Sequence, residues 1–259
     1  MNAYWAYARM SVRSELRYFF DLMLGGMGSV ITATFTILFW YTTGQQLFFG
    51  VFSWGMLVWY LIIVQLLCNT QKNFTKDISD HIQTGLITSI MSRPVFYPLA
   101  LLADHIGEVV IIIPAVLLLL IPLGFIAGGS IQVTFVGVII GIISIFLAIL
   151  LQSLIDICLG MIAFWVEDAN PYRWVFQKMV FLLGGVIFPL EIYPQWFQPI
   201  AKIQPIAYTM YHPSKLFVNF SLQSAIDVLA GQIIYCVAFG LLLAIMYSRA
   251  VRKVNINGG

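Results

Sequence analysis

The chain has 259 residues, 61% of them hydrophobic and only 9% charged, with a mean hydropathy of +0.93 and a formal net charge of +2. Soluble domains carry about 25% charged residues, so this composition excludes an ordinary soluble enzyme and indicates an integral membrane protein. The small net charge gives no footing for nucleic acid, and the cysteines (Cys68, Cys158, Cys236) sit in or beside apolar runs without metal-ligand spacing, as small buried hydrophobes do.

Residues 2–20 place Trp5, Ala8, Val12, Leu16 and Phe19 at helical spacing, with Arg9, Arg13 and Arg17 on another face. That pattern predicts an amphipathic helix lying in a membrane surface, its arginines among anionic headgroups. No short apolar core with a small-residue cleavage site leads the chain, so the first span is expected to direct insertion. That span covers residues 21–43 and begins with Gly25, Gly26 and Gly28, small residues that let helices approach closely in lipid. A second span, 47–67, carries Phe48, Phe49, Phe52, Trp54, Trp59 and Tyr60. These aromatics are read either as lipid-facing and interfacial anchors or as the lining of a path for an apolar cargo.

The longest polar interval follows, at 70–97, with Lys72, Lys76, Asp77, Asp80, His81 and Arg93. Thr75 is the expected N-cap of a short helix, with Asp77 in its first turn where the dipole favours a carboxylate. Ile78 and Ile82 share one face, and Gly85 ends the helix. A second short piece, 86–91, stops before Arg93-Pro94, because the residue before proline is biased away from helix. A compact polar segment between two spans suits a docking surface for a soluble, energy-supplying partner.

The third span, 98–125, opens with Asp104, His105 and Glu108, and Asp104 and Glu108 share a face. Charges this far into a span must face protein or water. They read as a gate or coupling contact, or as an intersubunit or interhelix polar contact. His105 and Glu108 lack the second histidine of a zinc-protease helix, so no metal is expected. Pro114 and Pro122 are candidate kinks. The fourth span, 133–166, exceeds the ~20 residues a bilayer needs and carries Asp156 toward its cytoplasmic end.

A fifth span covers 172–188. Residues 189–213 then hold five of the ten prolines, among them Pro189, Pro194 and Pro199, with Tyr193 and Trp196 between them. A broken, largely apolar run of this kind predicts short re-entrant helices, which survive only where protein covers the backbone. The sixth span, 225–247, is followed at once by Arg249, Arg252 and Lys253. With both termini inside, eleven of the thirteen basic residues fall on the cytoplasmic side, leaving Lys202 and Lys215 outside.

No phosphate-binding loop, nucleophile elbow or zinc-ligand pair occurs, so the chain is not expected to be an enzyme or to hydrolyse ATP itself. The intramembrane carboxylates form no relay across the midplane. A stand-alone secondary carrier or channel is the alternative, and it would make Asp104, Glu108 and Asp156 essential titrating groups.

Two motifs give the chain a resemblance. One is the run Gly85-Leu86-Ile87-Thr88-Ser89-Ile90-Met91-Ser92-Arg93-Pro94. The other joins Phe164-Trp165 and Glu167-Asp168 to Gly184-Gly185, Phe188-Pro189-Leu190, Tyr193-Pro194-x-Trp196, Pro205 and Tyr211-x-Pro213. With the N-terminal helix and six-span pattern, the whole chain resembles permease subunits of type-2 ABC exporters. The resemblance implies an all-α membrane fold in the bacterial inner membrane, both termini cytoplasmic. It implies a second permease, the same chain or a sister, among membrane lipids, and separate ATPase subunits that hold ATP and magnesium. It makes Gly85 to Pro94 the coupling elbow, with Ile78 and Ile82 filling an ATPase groove and Lys76, Asp77 and Asp80 at its rim. Relatives often place an acid soon after the glycine. Here Leu86, Ile87 and Thr88 are uncharged, so docking is expected to rest on shape and apolar fit.

Overall fold

The computed structural model describes residues 3–43, 53–92, 95–128 and 134–257, and every regular element among them is helical. Phe48, Phe49, Phe52, Arg93 and Pro94 lie outside the described residues.

Helix α1 (Ala3–Arg17) meets α2 (Phe19–Thr43) at a corner on Tyr18. Backbone hydrogen bonds pass through the corner, from Tyr18 N to Ser14 O at 3.1 Å and from Leu22 N to Tyr18 O at 3.0 Å. The first span therefore starts two residues before the expected position. Helix α3 (Trp54–Asn69) is capped by Ser53 and separated by a short linker from α4 (Phe74–Gln83) and α5 (Leu86–Met91). Next come α6 (Tyr97–Ile126), which runs through both prolines, and α7 (Phe135–Met161). The expected single helix over 133–166 is interrupted at Ile162. The short α8 (Ala163–Val166) follows and stops at Glu167, whose φ of 66° is the one positive value among described non-glycine residues.

Helix α9 (Asn170–Leu183) leads to a 3-10 turn (Leu190–Ile192) and three short helices: α10 (Gln198–Ile203), α11 (Pro205–Thr209) and α12 (Tyr211–Val218). Proline stands in the first two positions of α9, α10 and α11. Its fixed φ suits a helix start and its missing N–H ends whatever precedes it, so the proline-rich run folds as separate short helices. The long α13 (Leu222–Asn257) completes the chain.

Five helical stretches are long and apolar enough to cross a membrane: Phe19–Thr43, Trp54–Gln83, Tyr97–Ile126, Phe135–Val166 and Leu222–Lys253. Helix α9, where a further span was expected, has 14 residues, or ~21 Å at 1.5 Å per residue.

Helix α3 is the centre of the bundle, with Leu57 to Val64 all buried. Trp59 and Tyr60 belong to that core, and Trp54 donates its Nε1–H to Ala127 O at 2.9 Å. Trp59 and Tyr60 do not face lipid as anchors, because α2, α6 and α12 surround this helix, and Trp59 lines an apolar cavity of about 350 Å³ with residues of α6 and α7. The outer faces of α2, α6, α7 and α13 display Phe35, Ile106, Phe146, Leu241 and many similar residues, far more apolar surface than a soluble monomer shows. In lipid, apolar burial gains little over contact with acyl chains, so packing rests on close fit and polar contacts. Close fit is visible at Gly124, where an added Cβ would lie 3.1 Å from the Trp59 ring.

Candidate functional site

Polar side chains concentrate where α4 meets α6, α7 and α9. Helix α4 is capped by Asn73, whose Oδ1 accepts from Lys76 N at 3.0 Å. Thr75, the expected cap, is instead buried and donates its hydroxyl to Asp156 O at 3.1 Å. The Asp156 carboxylate enters from α7 and accepts from Phe74 N at 2.9 Å, so a neighbouring helix supplies part of the cap. Arg173 of α9 closes the arrangement, its Nε 2.9 Å from Asp156 Oδ1 and its Nη2 donating to Lys72 O at 3.3 Å. One turn along α7, Gly160 lets α4 sit down: an added Cβ would lie 2.5 Å from Ile78 Cδ1 and 3.2 Å from Thr75 Cα. Ser79 Oγ accepts from Ala169 N at 3.2 Å, tying the far side of α4 to the start of α9. A carboxylate at a helix N-terminus, paired with a buried guanidinium, is a strong local anchor.

A second cluster centres on Lys72, in the linker before α4. Its Nζ lies 2.6 Å from Asp104 Oδ2 and also pairs with Glu108. Ser11 of α1 donates to Asp104. Both carboxylates thus share one ammonium within this chain, and the same cluster holds α1, α6 and the linker together. His105 points elsewhere. Its Nε2–H donates to Thr70 O at 2.8 Å, which leaves Nδ1 facing Ser153 Oγ at 2.9 Å. Asp104 and Glu108 therefore act as a pair, and His105 belongs to the α3–α7 contact.

The outward face of the α4–α5 hairpin carries Lys76, Asp80, Gly85 and Leu86, with Leu86 54% exposed at the tip. Gly85 has φ 73°, a left-handed conformation that lets α4 turn into α5 at little steric cost. Ile78 corrects the expected docking ridge. It is 0% exposed and packs with Phe74, Ile157 and Met161, while Ile82 is half-buried beside it. The apolar stripe of α4 seats the helix on its own chain. Asp77 is also half-buried, and His81 Nδ1 lies 2.8 Å from the Tyr97 hydroxyl.

At the other end of α7 the proline-rich run forms a folded cap. Tyr60 donates its hydroxyl to Gly185 O at 2.7 Å, and Trp40 donates Nε1–H to Ile187 O at 3.1 Å. Gly185 has φ 75°, and an added Cβ would lie 2.6 Å from Tyr60 Oη. Pro189 precedes the 3-10 turn, and Tyr193 donates to Leu182 O at 2.6 Å. Pro194 O accepts from Phe197 N at 2.8 Å, leaving Trp196 exposed at the turn. Glu191 receives Lys215 Nζ at 2.6 Å and the Tyr211 hydroxyl. Burial, then the Glu191 charge, pushes the Tyr211 hydroxyl far above its usual range.

Sequence reasoning singled out Asp156 but did not join it to Arg173. A lone carboxylate in an apolar helix and an arginine beside the next helix start are the signal, since each needs a counter-charge. Asn73 and Gly160 carried no comparable signal.

Residues 29–258 match the family model described as ABC-2 family transporter protein. No curated protein matches the chain.

Proposed function

The chain belongs to the ABC-2 transporter family, and from that premise we propose that it is the membrane-spanning permease of an ATP-driven exporter. In this reading α2, α3, α6, α7, α9 and α13 are six spans with both termini in the cytoplasm of a bacterial cell. Residues 189–213 form the re-entrant cap on the outer side. Two permeases pair, as identical or sister chains. ATP and magnesium reside on separate ATPase subunits that dock beneath, and this chain carries no catalytic residue.

The observation that carries the proposal is the α4–α5 hairpin. Its outer face is free for a partner, while its root is bound to α6, α7 and α9 through Lys72, Asp156 and Arg173. Force applied at the tip is therefore delivered to three long or span-forming helices at once. Lys76 and Asp80 supply polar rim contacts and Leu86 an apolar knob, a helix-in-groove mode. The carboxylates that a proton-driven carrier would titrate are instead paired with Lys72 and Arg173, which disfavours a carrier working alone.

The test is co-purification of this chain with an ABC ATPase from its own cell, followed by Leu86→Asp. The variant should fold normally, because Leu86 is exposed, yet weaken ATPase retention about tenfold, as loss of a central apolar contact does. Cargo movement by the isolated chain, driven by a proton gradient without an ATPase, would overturn the proposal.

A further inference from the structure

The two basic residues assigned to the outer side, Lys202 and Lys215, line one cavity of about 280 Å³. The cavity lies between α10, α12 and the first turns of α13, near the end of α7 where Gly137 meets Phe220. Helix α4 meets α7 at Gly160, ~35 Å away along the helix. Tyr208, His212, Asn219, Ser221, Ser224 and Asp227 also line it.

Lys215 is engaged by Glu191. Lys202 forms no ion pair among the described residues, and its Nζ has an amide partner in Gln198 Oε1 at 3.1 Å. Burial lowers its pKa despite the nearby Glu191 charge, which marks an ammonium short of compensation. His212 donates Nε2–H to Lys202 O at 2.7 Å, fixing the backbone that carries this lysine. Ser221 and Ser224 share one hydrogen bond of 2.6 Å, which leaves a second hydroxyl proton for another acceptor. A partly buried cation beside spare hydroxyl and amide donors calls for an anion with several oxygens. A phosphate diester meets this with two charged oxygens, which can take Lys202 and Lys215, the latter alongside its bonds to Glu191 and Tyr211, and with two ester oxygens as weaker acceptors for the hydroxyl. Asp227, held by Gln223 Nε2 at 3.0 Å, stands at the same cavity and suits a hydroxyl or ammonium attached to that phosphate.

We propose that this cavity binds a phosphate-diester headgroup carrying a hydroxyl or amine. Its placement on the outer side rests on the permease orientation given above; the binding chemistry does not. Two sources share this chemistry, a bilayer phospholipid and a soluble glycerophosphodiester, and the test separates them.

The full chain is purified in maltoside micelles, stripped of lipid, and acetylated with a charged N-hydroxysuccinimide ester. Peptide mass spectrometry then gives the rate at Lys202 relative to Lys178. Added phosphatidylglycerol should slow that ratio about fivefold, while diacylglycerol, with tails and no phosphate, leaves it unchanged. Equal slowing by soluble glycerophosphoglycerol supports a soluble source; slowing by the lipid alone supports the bilayer. An Asn219→Ala, Ser224→Ala double variant, which leaves Lys202 in place for labelling, should lose most of the protection. A ratio that neither phosphate compound changes overturns the proposal. The isolated chain suffices, so failure to retain an ATPase would not alter this result. Labelling of intact cells with the impermeant ester tests orientation separately: Lys202 should react and Lys178 should not.

Discussion

Replacing Asp156 with alanine is expected to be the most damaging single change in the chain. The side chain is 4% exposed and serves Phe74 N, Thr75 and Arg173 together. Removing it leaves a guanidinium buried without its counter-charge and uncovers the first amides of α4. Breaking a buried pair from one side costs about 3–5 kcal/mol, more than the ~1 kcal/mol of an ordinary lost cap. The expected readout is a large fall in the thermal midpoint of the purified protein and, under the proposed permease function, loss of ATPase coupling along with α4. Asp156→Asn keeps an acceptor for Phe74 but not the charge, and should fall between alanine and the parent. The double variant Asp156→Leu, Arg173→Leu removes both charges and should recover part of the stability. An Asp156→Ala protein with unchanged midpoint and coupling would show that this pair does not hold α4.

Gly107→Val should act on α1 with comparable force but by a different route. An added Cβ at Gly107 would lie 2.2 Å from Ala8 O and 2.9 Å from Ala8 C. Both are backbone atoms, so no rotamer change relieves the contact and α1 must move off α6. That movement also breaks the Ser11–Asp104 hydrogen bond. Overpacking of this kind costs about 1–3 kcal/mol, and relief by local detachment concentrates the loss on α1. Trypsin should therefore cut at Arg9, Arg13 and Arg17 faster in the variant, while the span core stays protected. Unchanged cleavage at those arginines would refute the close α1–α6 seat.

The membrane class, the helical cap and the α4–α5 hairpin were legible in the sequence because they follow from hydropathy, proline placement and polarity. The direction in which α4 faces was not. An amphipathic stripe such as Ile78–Ile82 says that one side must be buried, yet it is silent on whether this chain or a partner buries it. The answer lies at Gly160, a residue without a side chain on a helix eighty positions away. The aromatics of the second span show the same limit: Trp59 and Tyr60 are as apolar as lipid-facing residues, and in lipid, hydropathy does not separate inside from outside. Capping was misread at Thr75 because Asp156 reaches in from outside the local sequence.

The short α9 has a consequence for the bilayer itself. A ~21 Å helix cannot match a hydrocarbon layer of ~30 Å. In the six-span arrangement proposed above, Trp174, Val175 and Leu182 on its exposed face would meet acyl chains, and the membrane beside α9 would be dented. Such deformation costs a fraction of a kcal/mol per ångström. Two dents brought together become one, so the elastic energy of the lipid pulls these helices toward each other. Bilayers of shorter chains weaken that pull by fitting α9 without distortion. Pairing measured by energy transfer should fall as the acyl chains are shortened, and pairing independent of chain length would exclude this elastic term.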